Sequence, residues 1–276
     1  MLDQVIVIYC ICDEVSKTLG IKDDPQCKMT SAEVMAFAII SAVLFGCDYK
    51  RTRLIAKCYH YFQKILSHSQ LNRRIHQIPD HAWVMIFMTL QLFLRNKETK
   101  LFIVDSFPVK AYENHKSFRA RIFSDKKYHG YAASKKQYFF GIKVHMIVDV
   151  EGIPIEFLFT PGSVSDIKAC RNMPLGLPEG AILFGDRAYT DYRFEDYLLK
   201  TEKIQLVAKR KQNFKRQHSP ETNFCLSVYR NRIETVFSSI ISRMPRYIKA
   251  RTEKGFYLKI QFFILAYMVH LYFPLT

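Results

Sequence analysis

The chain has 276 residues, 49% of them hydrophobic and 24% charged, with a formal net charge of +16. A core of ordinary size can be buried, which excludes global disorder. The cationic excess points to a polyanionic partner, because Lys and Arg that neutralise phosphates release condensed counterions.

Residues 1–99 carry 12 Lys+Arg against 9 Asp+Glu, a net of +3, and residues 100–276 carry 29 against 16, a net of +13. Most phosphate contact is therefore expected in the second part. The first part reads as helical throughout. Leu2–Leu19 is apolar on most faces and stops at Gly20, a C-cap residue. Asp23-Asp24-Pro25 makes a turn, and Thr30 and Glu33 have capping-box spacing at the head of a helix that runs to about Phe45 and stops at Gly46. A basic helix is expected near Arg51–Leu66. Ser69 is placed to cap a short helix carrying Asn72, Arg73, Arg74 and His76, and Pro79-Asp80 opens a helix through Trp83 to Leu94. The segments 51–66 and 69–78 have the outline of a helix-turn-helix, with Asn72, Arg73 and Arg74 placed to read base edges.

The pattern changes at Lys100. Leu101–Asp105 is a short apolar strand ending in an acid, and residues 109–137, rich in Tyr, Gly and Ser, read as a long basic loop. Tyr138–Val150 and Ile153–Thr160 form a hairpin turned at Glu151-Gly152. Ser165 caps a helix over Asp166–Asn172. A strand over Ala181–Gly185 ends at Asp186, a helix covers Thr190–Lys200, and a strand covers Ile204–Ala208. Helices near Val228–Ser242 and Phe256–Tyr272 close the chain. Antiparallel strands followed by parallel strands with crossover helices make a mixed sheet. The expectation is an all-α N-terminal domain over 1–98, then a catalytic domain over 99–276 with an RNase H-like mixed five-stranded sheet and flanking helices. In that order the first and fourth strands lie side by side.

The seven cysteines form no Cys-x-x-Cys and no zinc-spaced cluster, which fits free, mostly buried thiols in a reducing cytosol. Val5–Cys12 is flanked by acids and lacks the basic lead of a signal peptide. Ile260–Phe273 is too short to span a bilayer core of about 30 Å and reads as a buried helix. No membrane partner is expected.

Asp105 and Asp186 each end an apolar strand, and Glu234 lies beside the apolar stripe Val228, Ile233, Val236, Phe237 and Ile240 of a basic helix. Hard divalent cations prefer oxygen ligands, and carboxylates from separate elements can hold them while leaving positions open for phosphate and water. The stretches Phe102–Pro108, Tyr128–Lys136, Tyr138–His145, Pro161–Asp166, Gly185–Tyr189 and Arg230–Thr235 resemble the DDE transposases of bacterial insertion sequences, closest to the insertion sequence 982 family. The resemblance implies that Asp105, Asp186 and Glu234 form the catalytic, metal-binding triad, with Mg2+ as cofactor and Mn2+ as substitute. It implies cleavage at element ends and transfer of the 3′-OH into target DNA. Terminal-repeat and target double-stranded DNA are the expected partners, with a homo-oligomer on DNA and a bacterial cytoplasmic, nucleoid-associated location. One departure stands out: where many relatives carry a Tyr and a Lys around the glutamate, Ser227 and Ile241 occupy those places, with Tyr229 and Arg243 nearby, while Arg230 fits the pattern.

Candidate phosphate contacts are Lys135, Lys136, Lys143, His145, Arg187 and Arg230. Lys143 and His145 equally suit the wet face of an edge strand, and Arg230 suits an ion pair with Glu234 one turn away. Asp166 reads as a structural acid in a helix first turn. The alternative functions are an RNase H-like nuclease or junction resolvase without strand transfer, and a catalytically inactive regulator that binds terminal repeats.

Overall fold

The computed structural model describes residues 2–112, 122–132 and 137–273. The chain forms two compact units, Met1–Arg95 with Ile240–Thr276, and Asn96–Ser239.

The first unit contains α1 (Leu2–Thr18), α2 (Ser31–Phe45), α3 (Tyr49–Cys58), α4 (His68–Gln77) and α5 (Asp80–Leu94). It also contains the last helix, α9 (Glu253–Tyr272). The capping box of α2 is formed: the Thr30 hydroxyl accepts from the Glu33 amide at 3.1 Å, and the Glu33 carboxylate accepts from the Thr30 amide at 2.7 Å. The helix stops where Gly46 turns left-handed at φ 56°, a conformation glycine adopts without a Cβ penalty. Almost every α2 residue from Ser31 to Ala42 is buried, because α1, α3, α4 and α9 surround it. That is why α2 shows no one-sided apolar stripe. The same holds for α9, whose Phe262 ring lies 4.7 Å from Trp83. Among the described residues α9 is the one single helix long and apolar enough to cross a membrane, and 67% of that span is buried. It packs on α2 and α5, so the segment grouped with the strands on sequence grounds lies in the helical unit. Two local expectations change. The helix α3 ends at Cys58 rather than Leu66, and α4 is capped by Ser67, which forms its own capping box with Gln70, rather than by Ser69.

The second unit is built on β1 (Leu101–Tyr112), β2 (His129–Ala132), β3 (Gln137–Asp149), β4 (Pro154–Pro161), β5 (Ile182–Gly185) and β6 (Gln205–Ala208). The helices are α6 (Asp166–Asn172), α7 (Tyr192–Tyr197) and most of α8 (Pro220–Arg243). The sheet has six strands in the order β2-β3-β1-β5-β6, with β4 also paired to β3. Five strands were expected. The additional one, β2, lies in the segment read as a loop, and β1 runs seven residues past Asp105 into the same segment. β2 has only four residues and no visible alternation; pairing with residues 137–140 of β3 makes it a strand. The β1–β3 and β3–β4 pairs are antiparallel, and the β1–β5 and β5–β6 pairs are parallel. On one sheet face Phe102, Val104, Leu183 and Leu206 pack with Cys170 and Met173 from the α6 region and Leu198 beyond α7. On the other, α8 buries Ile233, Val236 and Phe237, with Leu226 in the place expected for Val228, which is 47% exposed. The seven cysteines are all free, and three of them, Cys12, Cys47 and Cys170, are buried, fewer than expected.

Candidate functional site

Leu101 to Val104 on β1 lie opposite Ile182 to Gly185 on β5 in parallel register. Asp105 and Asp186 are the next residues on the two strands, about 4.8 Å apart, so both acids lie where the β1–β5 pairing stops; Asp186 ends its strand as expected, whereas Asp105 does not, because β1 continues past it against β3. Strand alternation places Ile103, Asp105 and Phe107 on one face, and Phe184 and Asp186 on that same face. This is the face α8 covers. The Phe237 ring packs 4.6 Å from Phe107, and Tyr229 stacks on Phe184 at 5.2 Å. Between α8 and the strand ends is a narrow cavity of about 30 Å³, lined by Asp105, Asp186, Lys209, Ser227 and Arg230 among others.

Each aspartate spends one oxygen on a nearby amide. Asp105 Oδ1 accepts from the Ser106 amide and Asp186 Oδ1 from the Ala188 amide, both at 2.7 Å. Burial pushes the Asp105 carboxyl up to about 7; the Ser106 amide opposes this, while the charges of Asp186 and Asp166 add to it. Burial also raises Asp186, against the Ala188 amide and with help from Asp166. Arg230 works against both shifts, and Arg187 against that of Asp186, without cancelling the effect of burial. Tyr189, two residues past Arg187, is fully buried, and its hydroxyl has no hydrogen-bond partner among the described residues.

Glu234 is placed differently. Its side chain is 56% exposed, and its Oε1 accepts from Arg230 Nε at 3.1 Å. Among the described residues no three of His, Cys, Asp and Glu converge closely enough to hold a metal ion. The expected cluster of three carboxylates is thus not formed, and Glu234 pairs instead with Arg230 on the preceding turn. Asp105 and Asp186 by themselves offer an all-oxygen donor set on adjacent strands, which fits a hard divalent ion such as Mg2+ or Mn2+; Glu234 as placed does not contribute.

The candidate DNA contacts separate into groups. Arg187 is exposed and lines a basic groove with Lys209, Arg210 and Lys211. Arg210 itself is engaged by the Glu195 carboxylate and lies over the Tyr192 ring. Arg230 lines the acidic cavity. Lys143 and His145 are not on a wet edge, since β3 is paired on both sides. His145 is fully buried, with Nε2 2.8 Å from Thr160 Oγ1, and burial lowers its pKa to about 4. Lys143 donates to Asp166 at 3.2 Å and to the Val164 carbonyl at 3.1 Å. Lys135 and Lys136 lie outside the described residues. In the helical unit Asn72 and Arg73 are exposed. Arg74 is not available as a base reader: it pairs with Asp23 at 2.8 Å, and Asp23 also holds the start of α2 through Ser31.

Sequence reasoning missed two participants. Asp166, read as a helix-turn acid, accepts from Ser106 Oγ at 2.8 Å as well as from Lys143. It ties α6 to the residue after Asp105, through partners on separate strands that no local pattern connects. Lys209 lines both the acidic cavity and the basic groove; its place directly after the last strand, in parallel order with Asp186, was the available signal. Of the two substitutes for the family pattern, Tyr229 supports β5 by stacking on Phe184, and Arg243 belongs to the helical unit.

Residues 96–269 match the family described as Transposase DDE domain. No curated protein matches the chain. The family match covers well over half of the sequence and contains Asp105, Asp186 and Glu234, so the chain belongs to the DDE transposases.

Proposed function

We propose that this transposase cleaves DNA at the ends of an insertion sequence and joins the freed 3′-OH to target DNA, using Asp105, Asp186 and Glu234. The observation that carries this reading is the register: Val104 faces Gly185 on parallel neighbours, so two burial-raised acids meet where that pairing stops, beside cationic Arg230 and Lys209. The strand order, with the first and fourth major strands central and parallel, supports an RNase H-like catalytic unit. The insertion-sequence assignment rests on the motifs and the family match to a Transposase DDE domain. Asp105 and Asp186 would hold a divalent ion between their carboxylates. Such an ion, when bound, activates a water or hydroxyl and neutralises charge on the phosphate. Arg187 and Lys209 orient the phosphodiester backbone beside the acids, and Arg230 can exchange Glu234 for a phosphate oxygen, which frees the glutamate to turn toward the aspartates. Asn72 and Arg73 contact DNA from the helical unit.

The test is incubation of the purified chain with a labelled terminal-repeat duplex and Mg2+, followed by sizing of both strands and a plasmid-capture assay for joined products. Nicking at the repeat boundary with joined products is expected. Cutting without joining would move the protein to the nuclease class, and binding without cutting would make it a regulator.

A further inference from the structure

Three helices of the first unit begin at one cleft of about 890 Å³. Asp48 and Tyr49 at the start of α3, His68 and Ser69 at the start of α4, and Thr252 and Gly255 at the start of α9 all line it. Each start is capped by its own side chain, Asp48, Ser67 and Thr252, so the three helices contribute the partial positive charge of their dipoles rather than free N–H groups. The side chains reinforce the sign. Arg51, Arg73, Arg243, Lys249, Arg251 and Lys259 line the cleft against one carboxylate, Asp48. That carboxylate is already occupied by the Lys50 and Arg51 amides at 3.0 and 3.2 Å.

Lys259 shows the imbalance most clearly. Its half-buried ammonium donates to the Lys249 carbonyl at 2.6 Å and lies 5.3 Å from the Tyr49 ring centre. Among the described residues neither Lys259 nor Arg51, Arg73, Lys249 or Arg251 has a carboxylate in ion-pair range. Burial of the Lys259 ammonium lowers its pKa. Gathering like charges and helix starts around a concave wall is unfavourable unless an anion enters. The same residues argue against base reading. Nine residues, 59–67, separate α3 from α4, where a helix-turn-helix uses a turn of three or four, and Arg73 faces the cleft among the other cations.

We propose that this cleft is a phosphate site that grips the backbone of a DNA strand, holding the duplex by the helical unit without reading its sequence. This rests on the transposase reading, which makes DNA the polyanion at hand. The test uses the full chain and a labelled duplex of unrelated sequence, with affinity measured across a salt series. Arg73→Ala/Arg251→Ala removes two exposed cleft cations, and Lys22→Ala/Lys28→Ala removes two exposed cations elsewhere in the same unit. Circular dichroism and melting check that both variants fold. The cleft pair should weaken binding and reduce the magnitude of the log–log salt slope by about two, close to one per lost phosphate contact, while the other pair leaves the slope unchanged. Equal losses in both pairs, or none in either, would overturn the proposal. So would loss of inorganic phosphate binding in the cleft pair with duplex binding intact, because the occupant would then be a free phosphate. Wild-type protein that fails to bind duplex at all sinks the transposase reading too, whereas unaffected cleft variants of a binding-competent chain sink only the cleft.

Discussion

Replacing Asp105 by Asn should stabilise the metal-free protein at alkaline pH and leave it almost unchanged at acid pH. The carboxyl is buried beneath α8, and its pKa rises from 3.8 to about 7. An acid raised in the fold keeps its proton to a higher pH than it does in the unfolded chain. Its ionisation therefore takes nothing from stability below about 4, removes stability progressively between about 4 and 7, and is a constant penalty above that. This is opposite in sign to the usual salt-bridged carboxylate. The displacement sets a ceiling of about 4 kcal/mol. The residue as a whole is only half-buried, so about half of that is a realistic magnitude. The amide has the same shape, keeps an oxygen for the Ser106 N–H, and carries no charge to bury.

Thermal melts of wild type and Asp105→Asn in EDTA, at pH 3.5 and pH 8, measure this directly. For a unit of this size about 2 kcal/mol corresponds to a rise of roughly 4–8 °C, expected at pH 8 and mostly absent at about pH 3.5, below the unfolded-state pKa. Adding Mg2+ should then raise the wild-type melt and not the variant's, because only the wild type keeps both carboxylates. An equal difference at both pH values, or a variant less stable than wild type at pH 8, would refute the account of Asp105 as an acid held against its preferred state.

Asp186→Asn and Glu234→Gln should each reduce nicking below about a tenth of wild type while duplex binding persists, because losing a metal ligand costs several kcal/mol; sizing gels and anisotropy on the same preparations check both. Arg74→Ala should lower the stability of the helical unit by about 1–3 kcal/mol in urea melts without altering duplex affinity, since it leaves the partly buried Asp23 short of a partner. Thr30→Ala should cost about 1 kcal/mol through loss of the capping box that starts α2. Gly141→Ala should prevent accumulation of soluble protein, because a Cβ there would meet the Val109 carbonyl oxygen at 2.2 Å on the neighbouring strand.

Features set by neighbours in the chain were legible from the residues alone. Thr30 and Glu33, three apart, make their reciprocal bonds whatever surrounds them, and Glu151-Gly152 turns the hairpin it was expected to turn. The pairing of the Asp105 and Asp186 strands was expected from the order of elements along the chain, a hairpin followed by parallel strands with crossover helices, and not from either strand alone. What was not legible depends on partners far apart in the sequence. β2 exists only against β3. The alternation of Lys143 and His145 revealed that they share a face, but β4 and α6 decide that the face is covered. The first turns of α8, from Pro220, carry polar residues such as Glu221, Thr222 and Asn223 and gave no periodic signal before Leu226. Ser67 was a different case, since Ser67 and Gln70 have the same spacing as Thr30 and Glu33 and the signal was present.

The position of Glu234 bears most on whether three acids can act together. Its pair with Arg230 is an i, i+4 contact with side chains 56% and 44% exposed. Exposed helical pairs of this kind contribute only about 0.3–0.5 kcal/mol, so the contact is easily exchanged. Both members have stronger alternatives when DNA is present. Arg230 already lines the cavity of Asp105 and Asp186, and a phosphate oxygen offers it a charge-assisted bond in a partly dry site. Glu234 sits on the next turn of the same helix, whose Ile233, Val236 and Phe237 anchor it firmly to the sheet. On the proposed function only the glutamate side chain would turn, with the helix held in place. Arg230 would then keep a third like charge away from two acids already raised by burial and release it where a phosphate replaces it.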